Sequence, residues 1–218
     1  MTEKAVHPYH HIPLDRVSVL IDSIYAFAMT LLVTTISVPP KYTHSPGINP
    51  VQSILTSVFP DLIHYFIAFI LLAIFWYFEH QRFRSLKYLD RPLLCMNIAS
   101  LAFVCLIPFS TNIAGDYPFD NLGAIIFELN VFIIGLIASI QWMYMRGRHG
   151  EFVPDLSEAH IAREIRWARV FPLLAVAGII CAYFQITWSP VVFLLAPFIM
   201  AFLYWKDPVI PGKTDREP

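Results

Sequence analysis

Six long apolar stretches decide what this chain can fold into. They cover about residues 18–38, 58–78, 93–113, 122–144, 168–186 and 190–205. A helix needs about 20 apolar residues to cross the hydrocarbon core of a bilayer, and these stretches meet or approach that length. Because they take up more than half of the 218 residues, we expect one transmembrane domain over residues 1–218 and no separate soluble domain.

The residue composition agrees with a membrane protein. Only 14% of the residues are charged and 57% are hydrophobic, whereas a soluble domain carries about 25% charged residues. Residues 66–78 and 129–140 are apolar on all sides, while a surface helix of a soluble protein keeps a polar stripe. Open strands cannot satisfy their backbone in lipid. We therefore predict an all-α membrane protein whose six transmembrane helices lie in a lipid bilayer.

The distribution of basic residues predicts the sidedness. Fourteen of the 15 Lys and Arg residues lie in the two termini, in the second connection or around the fourth, and only Lys41 lies in an odd-numbered connection. Positively charged connections stay on the cytoplasmic side. Both termini are therefore predicted to be cytoplasmic, which fits an even number of spans. The net charge of −1 gives no indication of a nucleic-acid partner.

The connection at 146–167 contains Pro-Asp-Leu-Ser-Glu, which predicts a short surface helix capped by Asp155 or Ser157. The histidines at the start, His7, His10 and His11, have a spacing that resembles metal ligands, but no acid or cysteine lies nearby, so we expect no metal site. The chain has no catalytic or phosphate-binding motif and is not predicted to be an enzyme or to bind a cofactor.

The first apolar stretch carries the most polar side chains, and polar groups within a membrane indicate function. One stripe at helical spacing contains Ala26, Thr30, Thr34 and Ser37, and an adjoining stripe contains Phe27, Leu31 and Thr34. Alternating hydroxyl and large apolar groups suit the wall of a narrow pore. The alternative is that small hydroxyl residues let membrane helices pack closely.

Three charged groups in or beside the spans have two interpretations each. Arg16 and Asp22 lie six residues apart on the first helix, about 120° around its axis and roughly 9 Å along it. Either each bonds to another helix, or Arg16 snorkels and Asp22 lies at the interface. Glu128, about six residues inside the fourth span, is either buried or at the lipid interface, and we expect the interface.

Residues 16–33, RVSVLIDSIYAFAMTLLV, resemble the signature of the transmembrane protein 175 family, R-x-x-x-F-S-D followed by T-L-L-V. Arg16, Asp22, Ala26 and 30–33 match it, whereas Leu20 and Ile21 stand where the family has Phe and Ser. Further similarity lies in Phe75-Trp76, His80, Asn97 and Leu-Ile-Pro-Phe-Ser-Thr at 106–111. The resemblance is specific over about residues 14–113.

This family consists of potassium channels from bacteria, archaea and animal endolysosomes. The resemblance implies that a chain with one six-helix unit forms a homotetramer, here in the plasma membrane of a prokaryote, and that the first helix of each subunit lines a central pore for potassium ions. No carbonyl filter of the Thr-Val-Gly-Tyr-Gly type is present. Instead, the resemblance implies a hydrophobic constriction.

By position, the rings of the constriction are Phe27, Leu31 and Thr34, and Thr30 with Ala26 supports selectivity. Phe27 stands where the family has Ile or Leu, and it would narrow or reshape the first ring. Thr34 replaces an aliphatic residue, and it would widen and wet the third ring. The resemblance also implies that Arg16 and Asp22 tie the first helix to the next two, with His80 and Asn97 as candidate partners.

Two other functional classes stay open from the sequence. One is a secondary or proton-coupled transporter that uses Glu128 or Asp22. The other is a non-conducting membrane scaffold in which Phe27 closes the pore. Passive, voltage-driven flux would indicate a channel, saturable and gradient-coupled flux a carrier, and no flux a scaffold.

Overall fold

The computed structural model of the chain describes residues 13–37, 49–117, 120–184 and 189–206, and these ranges are helical apart from short connections. Helix α1 (Leu14–Leu31) continues into a 3₁₀ turn (Leu32–Thr35). It is followed by α2 (Pro50–Ser85), α3 (Arg91–Asp116), α4 (Asn121–Gly147), the short α5 (His149–Phe152) and α6 (Glu158–Tyr183). A second 3₁₀ segment (Ser189–Leu195) leads into α7 (Ala196–Lys206). The three histidines whose spacing resembles metal ligands, His7, His10 and His11, lie outside the described residues, as does Lys41.

Five of the helical segments in the described ranges are long and apolar enough to cross a membrane: Leu14–Thr35, Val51–Ser85, Arg91–Asp116, Asn121–Gly147 and Glu158–Tyr183. They contain the first five predicted spans, apart from the last residues of the first and fifth, and make the chain a multi-pass membrane protein. The sixth predicted span is a shorter apolar helix, Ser189–Leu203. It is divided between the second 3₁₀ segment and α7.

The connection before the fifth span differs from the prediction. Ser157 does cap a helix, since its hydroxyl oxygen accepts the backbone N–H of His160 at 3.2 Å. That helix is α6 itself, which runs without interruption into the fifth predicted span. A short separate helix would leave two further sets of unpaired backbone groups, and the continuous helix avoids them. The short surface helix is α5, which precedes the cap.

Helices α4 and α6 pack most closely through glycines. A Cβ at Gly135 would lie 2.6 Å from Cδ of Pro172, and a Cβ at Gly178 would lie 2.7 Å from Oε1 of Glu128. Real Cβ atoms do not approach other atoms so closely, so a side chain at Gly135 would clash with Pro172 and one at Gly178 would displace the carboxyl group of Glu128. Small residues allow this close approach of helix backbones in membranes.

The two basic connections contact each other. The ring of Tyr88 stacks on Phe152 with centroids 4.7 Å apart, and its hydroxyl donates to Glu151 at 3.0 Å. The backbone N–H of Lys87 donates to the carbonyl of Phe152 at 2.9 Å. Burial and the hydrogen bond to Glu151 raise the pKa of Tyr88 to about 12. Helix α5 thus fastens the start of α6 to the α2–α3 connection.

Candidate functional site

Helix α1 buries one face against its own subunit. Its buried residues follow each other at helical spacing and include Val17, Ile21, Tyr25, Ala28, Leu32 and Thr35. Steps of three and four residues keep them on one side of the helix. This side packs against α2 and α3.

The opposite face of α1 is left open by the chain itself. Ala26, Thr30 and Thr34 are exposed, Leu31 is partly exposed, and Phe27 is 63% exposed. In the most apolar window of α1 only 28% of the residues are buried, against 39–44% for the other four long apolar segments. The two stripes predicted from spacing therefore lie on the side of α1 that the described residues leave uncovered.

The hydroxyls on this open face donate to their own helix. Thr30 donates to the carbonyl of Phe27 at 2.8 Å, and Thr34 donates to that of Leu31 at 2.7 Å. A hydroxyl has one proton and two acceptor lone pairs. Because the proton is used by the backbone, each oxygen presents acceptor capacity outward, which suits water or a cation better than an anion.

A hydrogen bond holds α1 to α2 at the end with the basic connections. Oδ1 of Asp22 accepts the indole N–H of Trp76 at 2.8 Å. The ring of His80 lies beside that of Trp76, with centroids 5.6 Å apart. His80 therefore contacts the partner of Asp22, while the hydrogen bond comes from Trp76. Arg16 lies exposed near the start of α1.

Asn97 belongs to a different network. Its Oδ1 accepts from Arg82 at 3.1 Å, and its Nδ2 donates to the carbonyl of Leu93 at 2.9 Å. Arg82 also forms a buried ion pair with Glu79. The structure thus brings Asn97 together with α2, and not with Asp22. The sequence signal for the ion pair of Glu79 and Arg82 was two opposite charges three residues apart at the end of an apolar stretch.

A second hydrogen bond holds α1 at its other end. Oδ2 of Asp61, in α2, accepts the backbone N–H of Ser37 at 3.0 Å, and Asp61 is buried. Gly115 of α3 faces this carboxylate, because a Cβ there would lie 3.1 Å from Oδ1 of Asp61. Sequence reasoning did not find this contact, since a backbone donor leaves no trace in the pattern of side chains.

The position of Glu128 differs from the prediction. It was expected at the lipid interface, but it is fully buried between α4 and α6. The absence of a side chain at Gly178 makes the space that the carboxyl group occupies. Among the described residues, the hydroxyl of Ser189 interacts with this carboxyl group, but neither carboxylate oxygen makes a hydrogen bond of ordinary length and angle.

Comparison with known proteins gives a consistent result. A sequence model of the family described as "Endosomal/lysosomal potassium channel TMEM175" matches residues 16–108. A potassium channel of Streptomyces collinus is 26% identical over 155 residues, which is 69% of this chain and 73% of that protein. The endosomal/lysosomal proton channel TMEM175 of Danio rerio is 22% identical over 180 residues, which is 77% of this chain and 34% of that protein.

A solved structure has the same fold. It is the crystal structure of a lysosomal potassium-selective channel TMEM175 homolog from Chamaesiphon minutus, which aligns with a TM-score of 0.72 over 87% of this chain and 97% of that chain. The sequence identity in this alignment is 20%, so the likeness concerns the fold. The matched residues include α2 and most of α1 and α3, and they contain both hydrogen bonds that hold α1. The chain is therefore similar to the TMEM175 family in the sequence of residues 16–108 and in its fold.

Proposed function

We propose that this chain is the subunit of a potassium-preferring cation channel, in which four copies place the open face of α1 around a central pore. The preference for potassium is supported by the similar proteins from Streptomyces collinus and Chamaesiphon minutus, which are described as potassium channels. The six-helix unit forms the transmembrane domain of the subunit, and both termini face the cytoplasm. The tetramer lies in the plasma membrane of a prokaryote.

The open face of α1 carries this proposal. It combines hydroxyl oxygens with a large exposed ring, and it belongs to the least buried of the long apolar helices. A face of this kind has its lowest free energy when water or ions contact its hydroxyl groups and copies of the same helix cover its edges. Each of the other four long segments has a larger buried share within the chain.

The permeation path follows from the order of side chains on that face. Phe27 and Leu31 from each subunit converge on a narrow apolar constriction, and Ala26 leaves room beside the Phe27 ring. An ion must lose much of its hydration there, and potassium loses water at a smaller free-energy cost than sodium. Rings of this kind also close a pore by dewetting. Oxygens of Thr30 and Thr34 replace part of the lost water.

The charged groups around α1 have a supporting role in this proposal. Asp22 holds the end with the basic connections through Trp76, and Arg16 is assigned to that end by the family resemblance. His80 supports the Trp76 ring on which Asp22 depends, and Asn97 fastens α3 to α2 behind them. None of these groups lies in the permeation path. Their removal therefore changes the opening of the pore before it changes ion preference.

Flux into liposomes tests the proposal. Purified protein in vesicles with a potassium gradient should show passive potassium flux that exceeds sodium flux. Phe27→Ala should raise the flux and lower the preference, because the constriction widens. Phe198→Ala is the matched control, since this ring on α7 is 71% exposed. The pore assignment is wrong if Phe27→Ala, Leu31→Ala and Thr34→Ala all leave flux and preference unchanged.

A proton-coupled carrier is the second candidate, favoured by the buried carboxyl group of Glu128. A carrier should saturate, follow a proton gradient and be silenced by Glu128→Gln. A channel should keep its passive potassium flux in that variant. Absence of any flux from a folded protein would instead support a scaffold.

A further inference from the structure

A polar cavity lies between α2, α4 and α6, at the end of the bundle with the basic connections. It has a volume of about 200 Å³, which is the space of roughly seven water molecules at about 30 Å³ each in the liquid. Its lining combines aromatic rings, neutral polar side chains and two charged groups. The residues assigned to the pore and to the support of α1 lie elsewhere, so the proposed channel function gives this cavity no role.

Arg163 of α6 is the cationic group of the cavity. Its side chain is only 9% exposed, and its Cζ lies 4.9 Å from the centroid of the Trp167 ring. Its Nη2 donates to Nε2 of His160 at 2.6 Å and to Glu164 at 3.2 Å, and its Nε has no hydrogen-bond partner among the described residues. A guanidinium carries five N–H donors in a geometry that suits phosphate. Arg163 therefore keeps donor capacity for a phosphate group.

Glu164 is the anionic group of the same cavity. Its Oε1 accepts from Arg163, and a carboxylate offers acceptor sites on both of its oxygens. Ser85 of α2 adds a neutral acceptor, because its hydroxyl proton is donated to the carbonyl of Gln81 at 3.0 Å. The cavity thus presents one positive charge, one negative charge and further acceptor oxygens around a single space.

Aromatic rings form much of the remaining wall. The ring of Phe78 on α2 meets that of Trp167 on α6 edge to face, with centroids 5.7 Å apart. Tyr77 and Trp142 also line the cavity. Aromatic rings attract ammonium groups through the negative potential of their faces. An ammonium group in this cavity therefore has both the Glu164 carboxylate and aromatic rings as partners.

The cavity reaches an uncovered side of α2. Tyr77, in its lining, is 50% exposed. Ile70 and Phe66 lie seven and eleven residues before it, so the three side chains share one side of the helix. Both are exposed as well. Because tyrosine is common at the level of lipid headgroups, an acyl chain can lie along this apolar strip while its headgroup enters the cavity.

We propose that this cavity binds the headgroup of a membrane lipid that carries both a phosphate and a primary ammonium group, as phosphatidylethanolamine does. The phosphate lies against Arg163, and the ammonium group lies against Glu164 and the neighbouring rings. The bound lipid connects α2 to α6 at the end with the basic connections. Binding of this kind does not depend on ion conduction.

The charges of the cavity distinguish this headgroup from other common ones. Basic pockets between membrane helices bind anionic headgroups, but here one acid balances one arginine. A headgroup with negative charge alone would place that charge beside Glu164, and like charges repel. The quaternary ammonium of phosphatidylcholine has no N–H group for Glu164 or Ser85, whereas a primary ammonium has three.

Native mass spectrometry of the purified full chain in detergent tests the site. The protein is mixed in turn with phosphatidylethanolamine, phosphatidylcholine and phosphatidylglycerol that have identical acyl chains. Phosphatidylethanolamine should bind roughly tenfold more tightly than either of the others, because hydrogen bonds to charged groups contribute on that scale. Equal binding of the three lipids, or tighter binding of phosphatidylglycerol, would overturn the proposal.

Glu164→Gln should remove the preference. The amide keeps the shape of the side chain but loses the charge that faces the ammonium group, so phosphatidylglycerol should bind at least as tightly as phosphatidylethanolamine. Glu158→Gln is the matched control, since Glu158 is an acid at the start of the same helix with a 61% exposed side chain. It should keep the preference of the unmodified chain. An unchanged preference in a folded Glu164→Gln protein contradicts the assigned site.

Ser85→Phe provides a test that keeps both charges, in case Glu164→Gln does not fold. The added ring fills part of the cavity, so phosphatidylethanolamine should bind roughly tenfold more weakly or not at all, a loss on the scale of one hydrogen bond to a charged group. Undiminished binding to a folded Ser85→Phe protein would show that the lipid lies elsewhere.

Soluble phosphoethanolamine distinguishes a lipid from a free small molecule, because it has the same charged groups without acyl chains. It should not displace phosphatidylethanolamine at equal concentration, since the strip with Phe66, Ile70 and Tyr77 contributes to lipid binding. Displacement at equal concentration would overturn the assignment to a lipid. These measurements involve no ion flux, so failure of the proposed channel function would leave their outcome unchanged.

Discussion

Helix α1 and the α4–α6 pair are held in different ways. The described contacts of α1 to its neighbours are a narrow buried stripe and two hydrogen bonds, one from Trp76 to Asp22 and one from Ser37 to Asp61. Helices α4 and α6 meet along much of their length, with glycines at their closest approaches. The difference indicates that stability resides in the α4–α6 pair, whereas α1 keeps one face available for the proposed pore.

The polar groups of α1 and of the α4–α6 pair show the same contrast between an open and a buried region. On α1 the hydroxyls of Thr30 and Thr34 are exposed and bonded to their own backbone. In α4 the side chains of Glu128 and Gln141 are fully buried, and their polar atoms lack ordinary hydrogen bonds to the described residues. Substitutions should therefore affect folding in one region and flux in the other, and four experiments can break or sharpen this contrast.

The largest effect is expected at the crossing of α4 and α6. Gly135→Leu forces a side chain into Pro172 and Phe171, which lie 2.6 and 3.0 Å from an added Cβ. Overpacking of this kind should cost about 3 kcal/mol or more. The yield of monodisperse protein and its thermal midpoint measure the loss. Gly147→Leu is the control, because nothing lies within 4 Å of its Cβ position. Equal losses in both variants would contradict the role assigned to this crossing.

The next effect concerns the hydrogen bond that holds α1 near the basic connections. Asp22→Ala and Trp76→Phe should each destabilise the protein, and the double-mutant cycle should give a coupling energy of about 1.5 kcal/mol, typical of a hydrogen bond to a charged group. Thermal or denaturant unfolding in detergent measures it. The same cycle between Asp22 and Asn97 should give no coupling, and a coupling of similar size there would show that the wrong partner was identified.

A smaller effect distinguishes the two faces of α1. Thr34→Val and Thr35→Val each remove a hydroxyl that donates to the carbonyl three residues earlier, at 2.7 and 2.8 Å. Each should change stability by about 1 kcal/mol or less. Only Thr34→Val should alter the ratio of potassium to sodium flux, because Thr35 is buried against the subunit. If Thr35→Val changes the ratio as much, the open face is not the permeation path.

The smallest effect lies at the contact between the basic connections. Tyr88→Phe removes the hydrogen bond to Glu151 and should cost about 0.5 kcal/mol without a change in ion preference. The folded pKa of Tyr88, about 12, lies above its ordinary value of 10.0, so its contribution is fully present below pH 10.0 and is lost only as the pH rises through about 12. The difference between the two proteins should be constant across the neutral range, and a difference that varies there would contradict the assignment.

The sequence could predict features that depend on spacing along one helix. The apolar stretches located the long helices, the step pattern located the exposed stripe with Phe27 and Thr30, and Ser157 was one of the two residues predicted as a cap. In each case the signal and the structure involve residues within a few turns of each other, where helix geometry is known in advance.

Features that depend on the meeting of distant helices could not be predicted. Asp22 and Trp76 are 54 residues apart, and their contact depends on the rotation of α2 about its axis. The burial of Glu128 follows from Gly178 on another helix. The sixth span begins as a 3₁₀ segment at Ser189–Leu195, which apolar composition cannot distinguish from an α-helix.

The 3₁₀ turn at the end of α1 has a mechanical consequence. Residues rise about 2.0 Å each in a 3₁₀ helix and 1.5 Å in an α-helix, with about 120° instead of 100° of rotation. Conversion of Leu32–Thr35 to α-helix would therefore shorten this segment by about 2 Å and unwind it by about 80°. With Ser37 fixed to Asp61, the rest of α1 would rotate about its axis as it shifts along it. The axial shift would therefore also change which side chains of α1 lie on the open face.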